Sequence, residues 1–106
     1  MATRIMDAEI IKSMIAQHTA WYHRIELSPG IITPGINDSG ENLRQLDGLG
    51  LPVDCSGLRV LDIGTADGFM AFEMERRGAG EVIALDYRKP TTTGFTIASE
   101  ILGSRV

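Results

Sequence analysis

The chain has 106 residues, 43% of them apolar and 23% charged, with a formal net charge of −4. That length supports one small domain. The acidic balance excludes a surface that grips nucleic acid by charge alone, which needs clustered Lys and Arg, but not a nucleic-acid substrate held by other parts of a larger protein. One cysteine, Cys55, excludes an internal disulfide and a cysteine-built metal cluster, and it suits a reducing compartment. No signal-peptide pattern and no run of about 18 apolar residues is present, so a soluble cytoplasmic protein with no membrane contact and no metal site is expected.

In chain order, apolar residues at Ile10, Ile11, Met14 and Ile15 predict a helix over Asp7–Tyr22, with Asp7 as N-cap, ending at the aromatic cluster Trp21-Tyr22-His23. Turn clusters follow at Ser28-Pro29-Gly30, Thr33-Pro34-Gly35 and Asn37-Asp38-Ser39-Gly40. The short apolar pieces between them, Ile25-Glu26-Leu27 and Ile31-Ile32, suit an ordered loop or a pair of short strands. Leu43, Leu46 and Leu49 suit a short helix over Glu41–Leu49.

From Leu58 the pattern changes. Arg59–Ile63 and Glu81–Asp86 read as buried parallel strands. Gly68–Arg77 reads as a helix closed by Gly78, with Arg76 and Arg77 at its negative end. Thr93–Leu102 reads as a second helix, with Phe95, Ala98, Ile101 and Leu102 inward and Gly103 as cap. Strand, helix, strand, helix implies an α/β fold with a parallel sheet. Two units are expected: a helix-and-loop extension over 1–57 and the α/β part over 58–106.

The segment Val60-Leu61-Asp62-Ile63-Gly64-Thr65-Ala66-Asp67-Gly68 lies between strand and helix, where doubly wound folds hold cofactors. Gly64 permits a sharp turn and close approach of a ligand, Gly68 opens the helix, and exposed N–H groups would attract a carboxylate or phosphate. A dinucleotide fingerprint G-x-G-x-x-G fails at Ala66 and Phe69, which weakens a nucleotide-dependent oxidoreductase. The pattern acidic-x-G-x-G-x-G fits at Asp62, Gly64 and Gly68, with Ala66 as a small substitute. Asp86 ends the second strand, placed to accept hydrogen bonds from both hydroxyls of a ribose.

These residues, together with Phe72–Ala79 and Ala84-Leu85-Asp86, resemble class I S-adenosylmethionine-dependent methyltransferases. Trp21-Tyr22-His23-Arg24-Ile25-Glu26-Leu27, Gly30 and Thr33-Pro34-Gly35 narrow the resemblance to the tRNA 5-methoxyuridine(34) methyltransferase-like family, also described as a domain of unknown function. The resemblance implies the first half of a Rossmann-like methyltransferase sheet behind an N-terminal helix and loop extension. It implies S-adenosylmethionine, or carboxy-S-adenosylmethionine, as cofactor and tRNA wobble uridine or a small molecule as acceptor. Asp62, Gly64, Ala66, Gly68 and Asp86 match the cofactor motif position by position, and Thr65, Asp67 and Tyr87 complete the candidate cofactor set. Trp21, Tyr22, His23 and Arg24 are candidates for a substrate or cofactor pocket. No residue is assigned to catalysis. A full fold of this class has further strands, so a truncated chain, or one paired with another copy or a missing C-terminal half, is expected. The alternative is a non-catalytic cofactor-binding or oligomerising remnant.

Among the remaining residues, His23 suits a general base or an aromatic cluster with Trp21 and Tyr22, the cluster being the favoured reading. His18 is expected in solvent, Arg24 in a surface salt bridge, and Cys55 as an inert thiol. Glu73 and Glu75, two apart on a helix, face different ways.

Overall fold

The computed structural model describes residues 6–36, 44 and 47–106. It is a small α/β structure. Helix α1 (Ala8–Ala16) leads into a hairpin of β1 (Glu26–Ser28) and β2 (Ile31–Ile32). Strand β3 (Arg59–Ile63), helix α2 (Phe69–Arg76), strand β4 (Glu81–Leu85) and helix α3 (Phe95–Leu102) follow. Strands β3 and β4 pair in parallel, with Val60 opposite Val82 and Ile63 opposite Leu85. Of the helix expected over Glu41–Leu49, residues 41–43, 45 and 46 lie outside the described residues; Arg44, Asp47 and Gly48 have helical backbone. Among the described residues no helix is long and apolar enough to cross a membrane.

Local chemistry accounts for most element ends. Asp7 caps α1 by accepting the Glu9 amide at 2.8 Å. The helix stops at Ala16, well short of the expected Tyr22. It closes with tight bonds from the Gln17 amide to the Met14 carbonyl and from His18 to Ile15. The Trp21 indole then folds back and donates to the Ile15 carbonyl at 3.0 Å, satisfying a helix end that an amide would otherwise continue. Helix α2 is bracketed by Gly68 (φ 93°) and Gly78 (φ 95°), and α3 is closed by Gly103 (φ 62°). Thr93 lies outside α3, where its hydroxyl accepts the Phe95 amide at 3.2 Å.

One core joins residues from both sides of position 57: Ile11, Ile15, Trp21, Ile25 and Leu27 pack with Phe69, Phe72, Met74 and Ala98. The Phe72 and Phe95 rings stack at 5.2 Å, tying α2 to α3. Ile10 and Leu102 are exposed rather than inward. The two parallel strands are not buried as expected. Helix α2 packs against both strands, but Leu61, Ile63, Ile83 and Leu85 point to the opposite face and are exposed among the described residues. A strand's side chains alternate between faces, so covering one face leaves the other apolar set in water.

The segments 21–27 and 33–35 interlock. The Thr33 hydroxyl donates to the His23 carbonyl at 2.6 Å and accepts the Ile25 amide at 2.8 Å. Gly35 lies against the His23 backbone so closely that a Cβ there would stand 2.2 Å from the His23 carbonyl carbon. The Arg24 side chain donates to the Gly35 carbonyl at 2.9 Å in place of the expected salt bridge. Gly94 likewise lies under the Trp21 ring, with room for no Cβ.

The interlocked segment is tied to the α/β part by Asp67, 1% exposed. One carboxylate oxygen accepts the amides of Tyr22 (2.6 Å) and His23 (2.9 Å); the other accepts the Gly94 amide (2.8 Å). An orphaned buried donor costs about 1–3 kcal/mol. Asp67→Ala, which orphans three, is therefore expected to lower unfolding free energy by roughly 3 kcal/mol or more. Asp67→Asn, with an amide NH2 turned toward at least one of the three donors, should also destabilise. Urea denaturation checks both; an alanine variant within about 1 kcal/mol of wild type would refute this role.

Candidate functional site

The carboxyl ends of β3 and β4 form the site. Beyond Ile63 the chain turns through three residues with positive φ: Gly64 (79°), Ala66 (52°) and Gly68 (93°). Ala66 carries a side chain in the left-handed region, a conformation that costs an L-residue about 1–2 kcal/mol. It is held there from outside. The amides of Gly64 and Thr65 both donate to the Leu85 carbonyl (2.7 and 3.0 Å), and the Ala66 amide donates to the Asp86 carboxylate at 2.8 Å. A Cβ on Gly64 would meet nothing within 4 Å, so open space lies over the backbone there. A Cβ on Gly68 would stand 2.5 Å from the Phe72 ring.

The expectation of exposed loop amides holds for part of the loop only. Those of Gly64, Thr65 and Ala66 serve Leu85 and Asp86, and that of Gly68 serves the Thr65 carbonyl at 2.8 Å. Those four donors hold the loop's own shape, while the amides of Asp67 and of Phe69, Met70 and Ala71 in the first turn of α2 make no such bond among the described residues.

A cavity of about 170 Å³ opens at the strand ends, lined by Thr65, Ala66, Ala84, Leu85, Asp86, Arg88, Pro90, Thr93 and Phe95. Ligand pockets usually run to ~300–1,000 Å³. This one has room for part of a ligand, with the rest over the open loop. Thr65, Ala66 and Asp86 of the candidate cofactor set line it; Asp62, Gly64, Asp67, Gly68 and Tyr87 do not. Tyr87 projects into solvent beyond β4, and the Asp67 carboxylate is in the interior. Arg88, Pro90, Thr93 and Phe95 were not among the sequence candidates. Arg88 carries a signal that reading position by position passes over: a cation two residues after the strand-end acid.

Asp86 is the most heavily bonded group at the site. One oxygen accepts the Arg88 amide (2.9 Å) and Arg88 Nε (3.0 Å); the other accepts Arg88 Nη2 (3.1 Å) and the Ala66 amide. The Arg88 side chain first, then the two amides, hold the Asp86 carboxyl well below the ordinary carboxylate range. The Arg88 guanidinium also lies 5.2 Å from the Tyr87 ring centre.

The aromatic candidates do not reach this cavity. Trp21 is in the core, and His18, expected in solvent, packs edge-on against it at 5.3 Å. The His23 ring, 8% exposed, meets Tyr22 edge-on at 4.8 Å and Phe69 at 5.5 Å. This is an aromatic cluster with different members from the expected set. Cys55 is buried, with Sγ 3.4 Å from the Pro52 carbonyl and 3.9 Å from Met74 Sδ. Glu73 pairs with Arg76 and Arg77, while Glu75 accepts the Ser104 hydroxyl and the Arg105 amide. Among the described residues no group of His, Cys, Asp or Glu could hold a metal ion. No protein-family model, curated protein or solved structure matches the chain.

Burial pushes the His23 imidazole below its ordinary value of 6.5, against the opposing pull of Asp67 and Asp62. The folded chain therefore binds fewer protons than the unfolded chain between those two values. Its contribution to stability is full above about pH 6.5 and is lost as pH falls toward the folded value. The melting temperature of wild type is expected to drop more between pH 7 and pH 5 than that of His23→Phe, which keeps a ring between Tyr22 and Phe69. Parallel pH curves for the two proteins would count against a buried neutral imidazole.

Proposed function

We propose that the chain is the cofactor-binding part of a class I S-adenosylmethionine-dependent methyltransferase, its α/β half the start of that Rossmann-like fold. The observation that carries this reading is the bond from the Ala66 amide to the Asp86 carboxylate. It joins the turn after the first parallel strand to the acid after the second, and both edge one cavity. Ligands in open parallel sheets bind at the carboxyl ends of the strands.

The donors and acceptors present fit this cofactor better than a dinucleotide. A pyrophosphate draws on many free amides, and those of Gly64, Thr65, Ala66 and Gly68 are engaged, which leaves only Asp67 and the first turn of α2 to offer any. Asp62 Oδ2 and Thr65 Oγ1 are buried without partners. An ammonium group would satisfy the first, and either charged end of an amino acid the second. Asp86 would take the ribose hydroxyls. When bound, the sulfonium would supply an electrophilic methyl or carboxymethyl group. The chain's own part would be to fix the donor so that transfer needs little beyond proximity and alignment. The family resemblance extends the proposal to tRNA wobble uridine, or a small molecule, as acceptor.

A second reading, a non-catalytic cofactor-binding or oligomerising module, draws on the exposed apolar sheet face of Leu61, Ile63, Ile83 and Leu85. Calorimetry separates these readings. Wild type is expected to bind S-adenosylhomocysteine, and Asp86→Ala to bind it about tenfold more weakly or worse, since hydrogen bonds to a charged group are lost. Absence of binding by wild type would remove the methyltransferase reading. Binding without transfer of labelled methyl from S-adenosylmethionine to bulk tRNA would favour the second.

A further inference from the structure

The Asp86 carboxylate is saturated. A carboxylate offers about four acceptor positions, and Asp86 uses four, two on each oxygen. Two donors are the backbone amides of Ala66 and Arg88, fixed by the loop and by the turn after β4. The other two, Nε and Nη2, belong to one side chain and fall one on each oxygen. The carboxylate side chain is 6% exposed, whereas that of Arg88 is 39% exposed and lies at the cavity's rim. A ligand that is to bond Asp86 must displace something, and the guanidinium is the only exchangeable partner.

Two adjacent hydroxyls, each donating to one oxygen, would replace what Arg88 gives up. A single hydroxyl would replace only one of the two bonds that Arg88 gives up and leave the other oxygen one donor short. We propose that Arg88 is a specificity-determining latch: its guanidinium occupies the position of a vicinal diol on Asp86, and only a ligand bringing both hydroxyls displaces it without loss. This rests on Asp86 as the sugar-binding acid of the proposed function. It adds a residue beyond the glycine motif and a reason why the site would select ribosyl over deoxyribosyl ligands. Once displaced, the side chain retains the Tyr87 ring face as a resting place in solvent.

The test is calorimetry on the full chain with S-adenosylhomocysteine, adenosine and 2′-deoxyadenosine. Wild type, Arg88→Ala and the same change in an Asp86→Asn background are compared, with circular dichroism confirming each fold. Arg88→Gln, which keeps the aliphatic stem, replaces alanine if the latter unfolds. Removing the latch is expected to tighten S-adenosylhomocysteine and adenosine by roughly two- to fivefold, the scale of a partly exposed ion pair. The gain for 2′-deoxyadenosine should be larger, so that the preference for the diol narrows, and the Asp86→Asn background should abolish both gains. Equal or weaker binding by Arg88→Ala overturns the latch, as does a gain for 2′-deoxyadenosine no larger than that for adenosine or a gain that survives Asp86→Asn. If adenosine shows the gain while S-adenosylhomocysteine binds neither protein, the latch stands and the methyltransferase reading falls. If no ribosyl ligand binds either protein, both fall.

Discussion

The structure depends on one carboxylate with three backbone partners. Asp67 gathers the amides of the adjacent Tyr22 and His23 and of Gly94, all far from it in the chain. Without that acceptor, three donors would be buried unpaired at the junction of the glycine loop, the 21–35 segment and the start of α3. The neighbouring close contacts depend on the same anchor. Trp21 can lie on Gly94 only because the backbones on either side are drawn to Asp67, and His23 meets Phe69 because its own amide is held there. Small residues at positions 35 and 94 complete the fit, since a Cβ at either would collide with the segment Asp67 pulls in.

A second, weaker clasp shapes the strand ends. Ala66 sits in a left-handed conformation that an L-residue adopts at a cost. Its amide bond to Asp86, and the shared use of the Leu85 carbonyl by Gly64 and Thr65, supply the compensation. The loop is thus set in advance, and the amides of Gly64, Thr65, Ala66 and Gly68 are committed to that purpose. A preformed loop with few free amides accommodates a sugar and an amino-acid tail more readily than a chain of phosphates. The same geometry that fixes the turn therefore bears on which cofactor class fits.

Much of this was legible in the sequence where the signal is local. The Asp7 cap, the two strands, the bracketing of α2 by Gly68 and Gly78, the Gly103 cap and the short hairpin strands all follow from neighbours within a turn or two. Misreadings arise where the deciding partner is distant or of another kind. The end of α1 is set by an indole bonding back to Ile15, which no breaker residue announces. Asp67 reads as a loop residue open to a ligand because amides carry no sequence signal, and its partners are amides 27 to 45 positions away. The apolar runs in β3 and β4 suggested burial on both faces, yet the described helices cover one. Arg88 was passed over because its role is to a neighbour already assigned a different one.

Asp67 and Asp86 are both short acids beside the same loop, and the difference between them separates structure from site. Every partner of Asp67 is a backbone amide, each held by its own segment, so none can leave without the fold yielding. Half the partners of Asp86 belong to one flexible, partly exposed side chain. Bonds of the first kind confer rigidity; bonds of the second can be exchanged for a ligand's at little net cost, because the acid stays satisfied throughout. A carboxylate that must remain charged and paired, yet yield its partner on demand, needs both: fixed amides to hold it in place and a movable donor to give way. Asp86 has that combination and Asp67 does not, which makes the strand-end acid, rather than the more deeply buried one, the group suited to the binding proposed for this site.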